Sequence, residues 1–374
     1  MQIYMFNIKN LFSGSKQADK AVTEGQESAL FTRINQLLAD YRSDIFPVGL
    51  QQATSLVSVT DGDTIKVELL LHFAASSEQP DIAKFLSDKL GKQVALSVQV
   101  NLLEPTRHKN IKHIVLVASG KGGVGKSTSA VNLANALKQN GAKVGILDAD
   151  IYGPSIPLLL GLEDAKPEAK DDKTLLPMDK NGLATQSIGF LLGKEDATVW
   201  RGPMASTALM QLLNETSWPA LDYLVVDMPP GTGDIQLTMS QKIPASGAVI
   251  VTTPQDLALA DAKKGIDMFN KVKVPIVGLI ENMSYFHCQH CNGVNHIFGE
   301  DGGKDLAQHI AVPLLGQVPL AHRIRQVGEQ GEFLSHNADK ALVAIYNRAA
   351  KLVASHLFYQ GSGSNPVEII ITDD

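Results

Sequence analysis

Apolar positions recur along this chain in two rhythms. From Phe31 onward, Ile34, Leu37, Leu38 and Tyr41 return at helical spacing. Ile65, Val67, Leu69, Leu71 and Phe73 then alternate with other residues, as in a strand with one buried face. The Asp61-Gly62-Asp63 turn ahead of them predicts a hairpin between strands over 53–60 and 64–73. Ile82, Phe85, Leu86 and Leu90 mark a second helix, and Val94, Leu96, Val98, Val100 and Leu102 a third strand. The pattern predicts a small α+β domain over 31–103, followed by a linker over 104–111.

Past the linker the strand signals change character. Short strand signals appear at 114–118, 144–147, 223–226, 248–252, 276–282 and 314–318, the first four of them almost wholly apolar. Uninterrupted runs of this length fit a parallel sheet buried on both faces. The stretch 112–356 is therefore expected to be an α/β domain, a mostly parallel sheet with helices on both faces. Residues 1–30, polar and turn-rich from 13 onward, and the Gly/Ser-rich then acidic residues 357–374 read as flexible ends.

Composition narrows the partners. Hydrophobic residues make up 44% and charged residues 19%, a globular balance, and the formal net charge is −6. No dense Lys/Arg cluster offers a nucleic-acid face. The longest apolar runs fall far short of a bilayer span, and the N-terminus lacks a signal-peptide core. The closing 367–374 segment is acidic and would be repelled by anionic lipid. The reading is a cytoplasmic protein that binds neither nucleic acid nor membrane.

The first apolar run of the larger domain leads straight into Gly120-Lys121-Gly122-Gly123-Val124-Gly125-Lys126-Ser127-Thr128, with a helix expected over 127–140. Strand, glycine loop and helix in this order make a P-loop, so the fold class is a P-loop NTPase. Its backbone N–H groups and the helix N-terminus converge on phosphate. Lys126 is placed for the β- and γ-phosphates and the Ser127 hydroxyl for Mg²⁺. Asp227, at the end of the run 223–226, and Asp148 and Asp150, after 144–147, lie where such sheets bind ligands. Asp148 and Asp227 are candidates for the magnesium shell and Asp150 for orienting the attacking water. Guanine-reading N-K-x-D is absent, because Asn270-Lys271-Val272-Lys273 lacks the Asp. Adenine is the expected base, with Asn282 its candidate reader.

The chain has two cysteines, Cys288 and Cys291, which rules out a disulfide framework. A Cys-x-x-Cys turn can place both sulfurs on one metal centre. A [4Fe–4S] cluster takes four thiolates, and a two-fold dimer of this chain supplies four. Zinc fits these residues equally well, either with His287, His290 or His296 in one chain or with four cysteines across two.

The loop at 120–128, with its early Lys121, resembles the deviant-Walker-A ATPases, which include MinD, ParA and the nitrogenase iron protein. The resemblance implies that Lys121 reaches the partner's nucleotide across a dimer. A closer likeness is to the Mrp/ApbC iron–sulfur cluster carriers. Leu147-Asp148-Ala149-Asp150-Ile151-Tyr152-Gly153-Pro154-Ser155 looks like that family's switch I. Asp227-Met228-Pro229-Pro230-Gly231-Thr232-Gly233-Asp234 looks like its switch II. Glu281-Asn282-Met283-Ser284, Cys288-x-x-Cys291 and Phe298-Gly299 are similar to its cluster-binding segment. The 31–103 unit looks like the small iron–sulfur-assembly domain of bacterial members, although it holds no cysteine.

What the resemblance implies is a slow Mg-ATPase with Lys121, Lys126 and Asp150 as its catalytic residues. It would work as a homodimer that holds a cluster on Cys288 and Cys291 and passes it from assembly scaffolds to apo-proteins. The other reading is a positioning ATPase of the MinD/ParA kind with a structural zinc. A redox ATPase is disfavoured, because the cluster ligands of the nitrogenase iron protein come from two separated segments.

Overall fold

The computed structural model describes residues 24–104, 106–191, 202–288, 290–334 and 337–361. Helix α1 (Glu24–Asp40) starts ahead of Phe31, within the segment expected to be flexible; the rest of that expectation, 1–23, lies outside the described residues. Strands β1 (Thr54–Thr60) and β2 (Ile65–Leu71) pair antiparallel, helix α2 (Gln79–Leu90) crosses over, and β3 (Val94–Val100) lies parallel to β2. Ile65, Val67, Leu69 and Leu71 are all buried, as the alternation requires.

The second sheet has eight strands. In chain order the elements are β4 (Ile111–Ala118), α3 (Lys126–Gln139), β5 (Val144–Asp148), α4 (Ile156–Leu159), β6 (Met178–Lys180) and β7 (Leu183–Ser187). Then come α5 (Gly202–Glu215), β8 (Leu221–Asp227), α6 (Asp234–Lys242), β9 (Gly247–Thr252), α7 (Asp256–Lys271) and β10 (Ile276–Asn282). A two-stranded hairpin, β11 (Phe286–His287) and β12 (Val294–Asn295), precedes α8 (Gly302–His309), β13 (Leu314–Val318), α9 (His322–Glu329) and α10 (Lys340–Gly361). The strand order is β13-β10-β9-β4-β8-β5-β7-β6, parallel throughout except for β6 against β7.

Strand β4 shows why the apolar runs are unbroken. Val115 and Val117 join one core with Leu133 and Leu137 of α3 and Val353 of α10, while Ile114 and Leu116 join another with Leu209 of α5 and Phe269 of α7. Both faces of such a strand meet a helix layer, so apolar side chains are favoured on each.

Strands β6 and β7 were not read from sequence. Their two-residue turn, Asn181-Gly182, takes positive φ at both positions (52° and 81°), the backbone of a tight hairpin. An Asn-Gly pair is the sequence signal for it. The polarity of β7 masks the strand, since Thr185, Gln186 and Ser187 are fully buried.

The small domain shares a core with the larger one. Ile34 and Phe73 belong to the same apolar cluster as Val353 and Leu357 of α10. Around it, Ser355 Oγ donates to the Ile45 carbonyl at 2.8 Å, Lys351 pairs with Glu78, and Ser77 Oγ donates to Asn140 Oδ1 at 2.7 Å. Helix α10 therefore runs on to Gly361 with Leu357 and Tyr359 buried, correcting the expectation that the chain is loose from 357. The remainder of that tail, 362–374, lies outside the described residues.

Below the junction, His113 is buried on β4 with its ring stacked on Tyr223, Nδ1 3.3 Å from Ser246 Oγ and Nε2 3.9 Å from Glu104 Oε1. Burial lowers the imidazole to about 4, helped by Arg107, and raises the Glu104 carboxyl. A depressed histidine binds its proton later in the folded than in the unfolded chain, so the stability it lends is complete above about pH 6.5 and lost as pH falls toward 4. The full shift corresponds to about 3 kcal/mol. Thermal melts are expected to show that His113→Gln loses less stability than the parent between pH 7 and pH 4.5.

Candidate functional site

The P-loop sits at the carboxyl end of β4, where β5, β8, β9 and β10 also end. Its glycines differ in purpose. A Cβ on Gly120 would come within 2.1 Å of the Asp261 backbone of α7, so this glycine permits close packing. Gly122 and Gly123 face open space, with nothing within 4 Å of a built Cβ. Gly123 and Gly125 both have φ of 83°, in the left-handed region. A Cβ on Gly125 would lie 2.1 Å from Asn282 Nδ2.

That amide nitrogen donates to the Val124 carbonyl at 2.8 Å, so Asn282 clasps the loop from the end of β10. The residue expected to read the base is thus seen first as a support of the cradle. Lys126 is buried and its ammonium meets Asp227 Oδ1 at 2.6 Å, Asp150 Oδ2 at 3.8 Å and the Ser127 hydroxyl at 3.4 Å. Lys121 turns the other way, its Nζ donating to Gln255 Oε1 at 3.5 Å.

The expected carboxylates do come together, in different roles. Asp148 and Asp227 are register partners on β5 and β8, and both are fully buried. Asp148 accepts from the backbone N–H groups of Asp150 and Ile156 and from Ser187 Oγ, each at 3.1 Å. It ties down the loop that carries Asp150. Burial raises the Asp148 carboxyl to about 7, with Asp227 adding to the shift. Burial also raises Asp227 and Asp150, opposed in each case by the Lys126 ammonium. Asp227 Oδ2 is buried without a hydrogen-bond partner. The loop after β8 folds back on β4, with Met228 N donating to Val117 O and Gly231 N to Ser119 O, each at 3.0 Å.

Cys288 and Cys291 occupy the turn between β11 and β12. The turn is closed by Cys288 N donating to Gly293 O and Asn292 N to Cys288 O, at 3.0 and 2.9 Å. Cys291 is exposed and Cys288 half-buried. The backbone N–H groups of Cys291 and His290 stabilise the Cys288 thiolate and lower its pKa, and the Cys291 side chain adds to this. His287 packs edge-on against Tyr285, while His296 lies 3.6 Å from Glu300. Among the described residues no three His, Cys, Asp or Glu gather as a metal site, so the Cys₂His₂ zinc arrangement in one chain is not assembled.

Ser187 and Gln255 were not foreseen as site residues. Ser187 lies on the concealed β7, and Gln255 follows β9 with no motif around it. No helix among the described residues is long and apolar enough to cross a membrane.

A mostly parallel sheet with a glycine cradle, a buried lysine and carboxylates at its strand ends defines a P-loop NTPase of the MinD/ParA type. The family model described as "ParA: NUBPL iron-transfer P-loop NTPase" matches residues 110–354, and the chain belongs to that family. It is 45% identical over 343 residues to an iron–sulfur cluster carrier protein of Haemophilus influenzae, covering 88% of this chain and 93% of that one. It is 50% identical over 311 residues to the protein of the same description in Escherichia coli K12, with 80% and 84% covered. The mouse iron–sulfur cluster transfer protein NUBPL is 52% identical over 226 residues, 60% of this chain and 70% of that protein. A solved nucleotide-binding protein from Archaeoglobus fulgidus, in complex with ADP, superposes with a TM-score of 0.55 at 38% identity, covering 62% of this chain and 90% of that one.

Gly125→Ala tests the cradle directly. The new methyl group would displace Asn282 and strain a left-handed backbone, so binding of a fluorescent ATP analogue is expected to fall by at least about tenfold. Circular dichroism should stay that of the parent.

Proposed function

We propose that this chain is an ATP-dependent iron–sulfur cluster carrier, in which two copies share one [4Fe–4S] cluster and deliver it to apo-proteins. The observation that carries the reading is the cysteine turn: two thiols per chain, close together and accessible, with no further ligand grouped beside them among the described residues. Half a coordination shell is complete only when a second copy supplies the other half. Relatives described as cluster carriers and as a cluster transfer protein support the cargo. The likeness to an ADP complex supports an adenine nucleotide.

At the other site, Lys126 answers the charge of the β- and γ-phosphates and the loop N–H groups, with the N-terminus of α3, hold the phosphate oxygens. The orphaned Asp227 Oδ2 and the Ser127 hydroxyl fit a hard divalent cation. Magnesium, when bound there, would neutralise charge shared between phosphates. Asp148 keeps its loop in place, and Asp150 at the rim orients the attacking water. Lys121, half-buried beside Gln255, is the residue we assign to the partner's nucleotide. Hydrolysis is slow until that lysine arrives, which links dimer closure to turnover.

Anaerobic reconstitution with iron and sulfide, read by metal analysis and EPR of the dithionite-reduced protein, tests the assignment. The parent is expected to hold a cluster and to restore activity to an apo-enzyme that needs one. Cys288→Ala/Cys291→Ala is expected to hold iron only at background. Full iron and sulfide in the double variant would overturn the reading, and zinc alone in the parent would make the site structural.

A further inference from the structure

The hairpin that carries the cysteines is fastened at both ends to the nucleotide loop. On the entry side, Asn282 closes β10 and clasps Val124 of the P-loop at 2.8 Å. Met283 then turns with φ of 55°. Ser284 N donates to Val318 O at 3.0 Å, and Leu320 N donates to Tyr285 O at 2.7 Å. Cys288 follows directly from the short strand Phe286–His287. On the exit side, the loop after β12 packs on Pro254. Cβ atoms at Gly299 and Gly302 would lie 3.3 and 2.8 Å from the Pro254 carbonyl oxygen. Pro254 is joined to Gln255, which accepts from Lys121 of the same P-loop.

One side chain holds the two roots together. Glu281 precedes Asn282 on β10, so strand alternation sends it to the opposite face from the P-loop. It is fully buried. Its Oε1 accepts from Ser284 Oγ, on the entry side, and from Gln317 Nε2 at 2.9 Å. Its Oε2 accepts from the Gly303 backbone N–H at the start of α8, on the exit side. Gln317 Nε2 also reaches Asp301 Oδ1 at 3.2 Å, just ahead of that helix. The fit leaves no slack, because a Cβ at Gly303 would stand 2.6 Å from Glu281 Oε2. A buried carboxylate is costly to place and is kept only where several donors meet it.

We infer that Glu281 is a positioning residue that couples the nucleotide loop to the cysteine turn. By gripping both roots of the hairpin, it makes them move as one body with the end of β10, and therefore with Val124 and Gly125. A shift of the P-loop on nucleotide binding is then delivered to Cys288 and Cys291 as a displacement of the whole turn. Without the grip, the two roots move separately and the turn no longer follows the loop. This inference rests on the carrier reading above and names the part that joins its two sites.

The variant of choice is Glu281→Gln. It keeps the volume, but either orientation of the amide sets its NH₂ against a donor, Gly303 N–H on one side or Gln317 Nε2 on the other. Gln317→Ala is the second variant; it removes the brace between Glu281 and Asp301 and leaves the carboxylate in place. The measurement is the rate of cluster transfer from reconstituted full-length protein to an apo-ferredoxin, followed by circular dichroism with and without Mg-ATP. In the parent, ATP is expected to change that rate by about fivefold or more. In Glu281→Gln the ratio is expected to fall to about one, and in Gln317→Ala, which keeps Glu281 on Ser284 and Gly303 but loosens it from Asp301, to a value between that and the parent's. Iron loading without nucleotide and ATP affinity are expected to remain at the parent level.

A parental ratio in a folded Glu281→Gln protein would overturn the inference. Loss of cluster loading together with the ratio would also overturn it, by making Glu281 merely structural; if Glu281→Gln does not fold, Gln317→Ala decides by the same criteria. A parent that loads cluster but ignores ATP sinks the coupling and leaves the carrier reading standing. A parent that loads no cluster sinks the carrier reading itself.

Discussion

The contact between the Lys126 ammonium and Asp227, 2.6 Å apart and both buried at the end of the sheet, sets the terms for the rest of the site. Two carboxylates, those of Asp227 and Asp150, meet this one cation at 2.6 and 3.8 Å, and Asp148 is buried beside Asp227 on the neighbouring strand. Burial raises all three, so the chain holds them against their preference for water. Such an arrangement survives only where the surroundings supply donors. Asp148 takes them from its own loop and from Ser187. Asp227 Oδ2 takes none, which makes it the group best prepared for a ligand that brings positive charge. The glycines belong to the same scheme, for the loop must pass close to α7 at Gly120 and to Asn282 at Gly125 while leaving Gly122 and Gly123 open.

The cysteine turn is built on different physics. It lies on a small antiparallel hairpin outside the main sheet, where backbone hydrogen bonds from Cys288 to Gly293 and from Asn292 to Cys288 close the turn beyond the strand pairing. A thiol turn of this kind gains its rigidity from its roots and from what it binds. Its roots lie beside the P-loop because β10 ends there and because α8 returns to Pro254. Topology has thus placed the phosphate-binding loop and the cysteine turn near one another, beyond the carboxyl ends of β4 and β10. A ligand shared between two copies would feel any change in how those copies meet.

Much of this was readable before the structure, for physical reasons that differ by element. The runs that became β4, β5, β8 and β9 are apolar because each contributes side chains to both cores, and such strands are easily found. The P-loop is legible because phosphate binding permits few backbones. Strand β7 escaped notice, since its buried face is polar and serves Asp148; only the Asn181-Gly182 turn betrays it. Helix α1 begins ahead of Phe31, and α10 continues past 357, where the buried Leu357 and Tyr359 anchor a stretch of mixed residues that reads as a tail in isolation. Nothing in the local pattern announces that Glu281 will meet Gly303 and Gln317, residues distant in sequence. Asn282 is a related case: its position was foreseen, and the clasp on Val124 came from three-dimensional packing.

In the function proposed above, each chain carries half of a shared metal site. Native mass spectrometry of the anaerobically reconstituted protein measures it most directly, since it weighs the intact assembly and its inorganic cargo together. A species of two chains with the mass of a single [4Fe–4S] unit is expected, with single chains free of iron. A single chain that carries a complete cluster, or a dimer with one cluster on each chain, would contradict it.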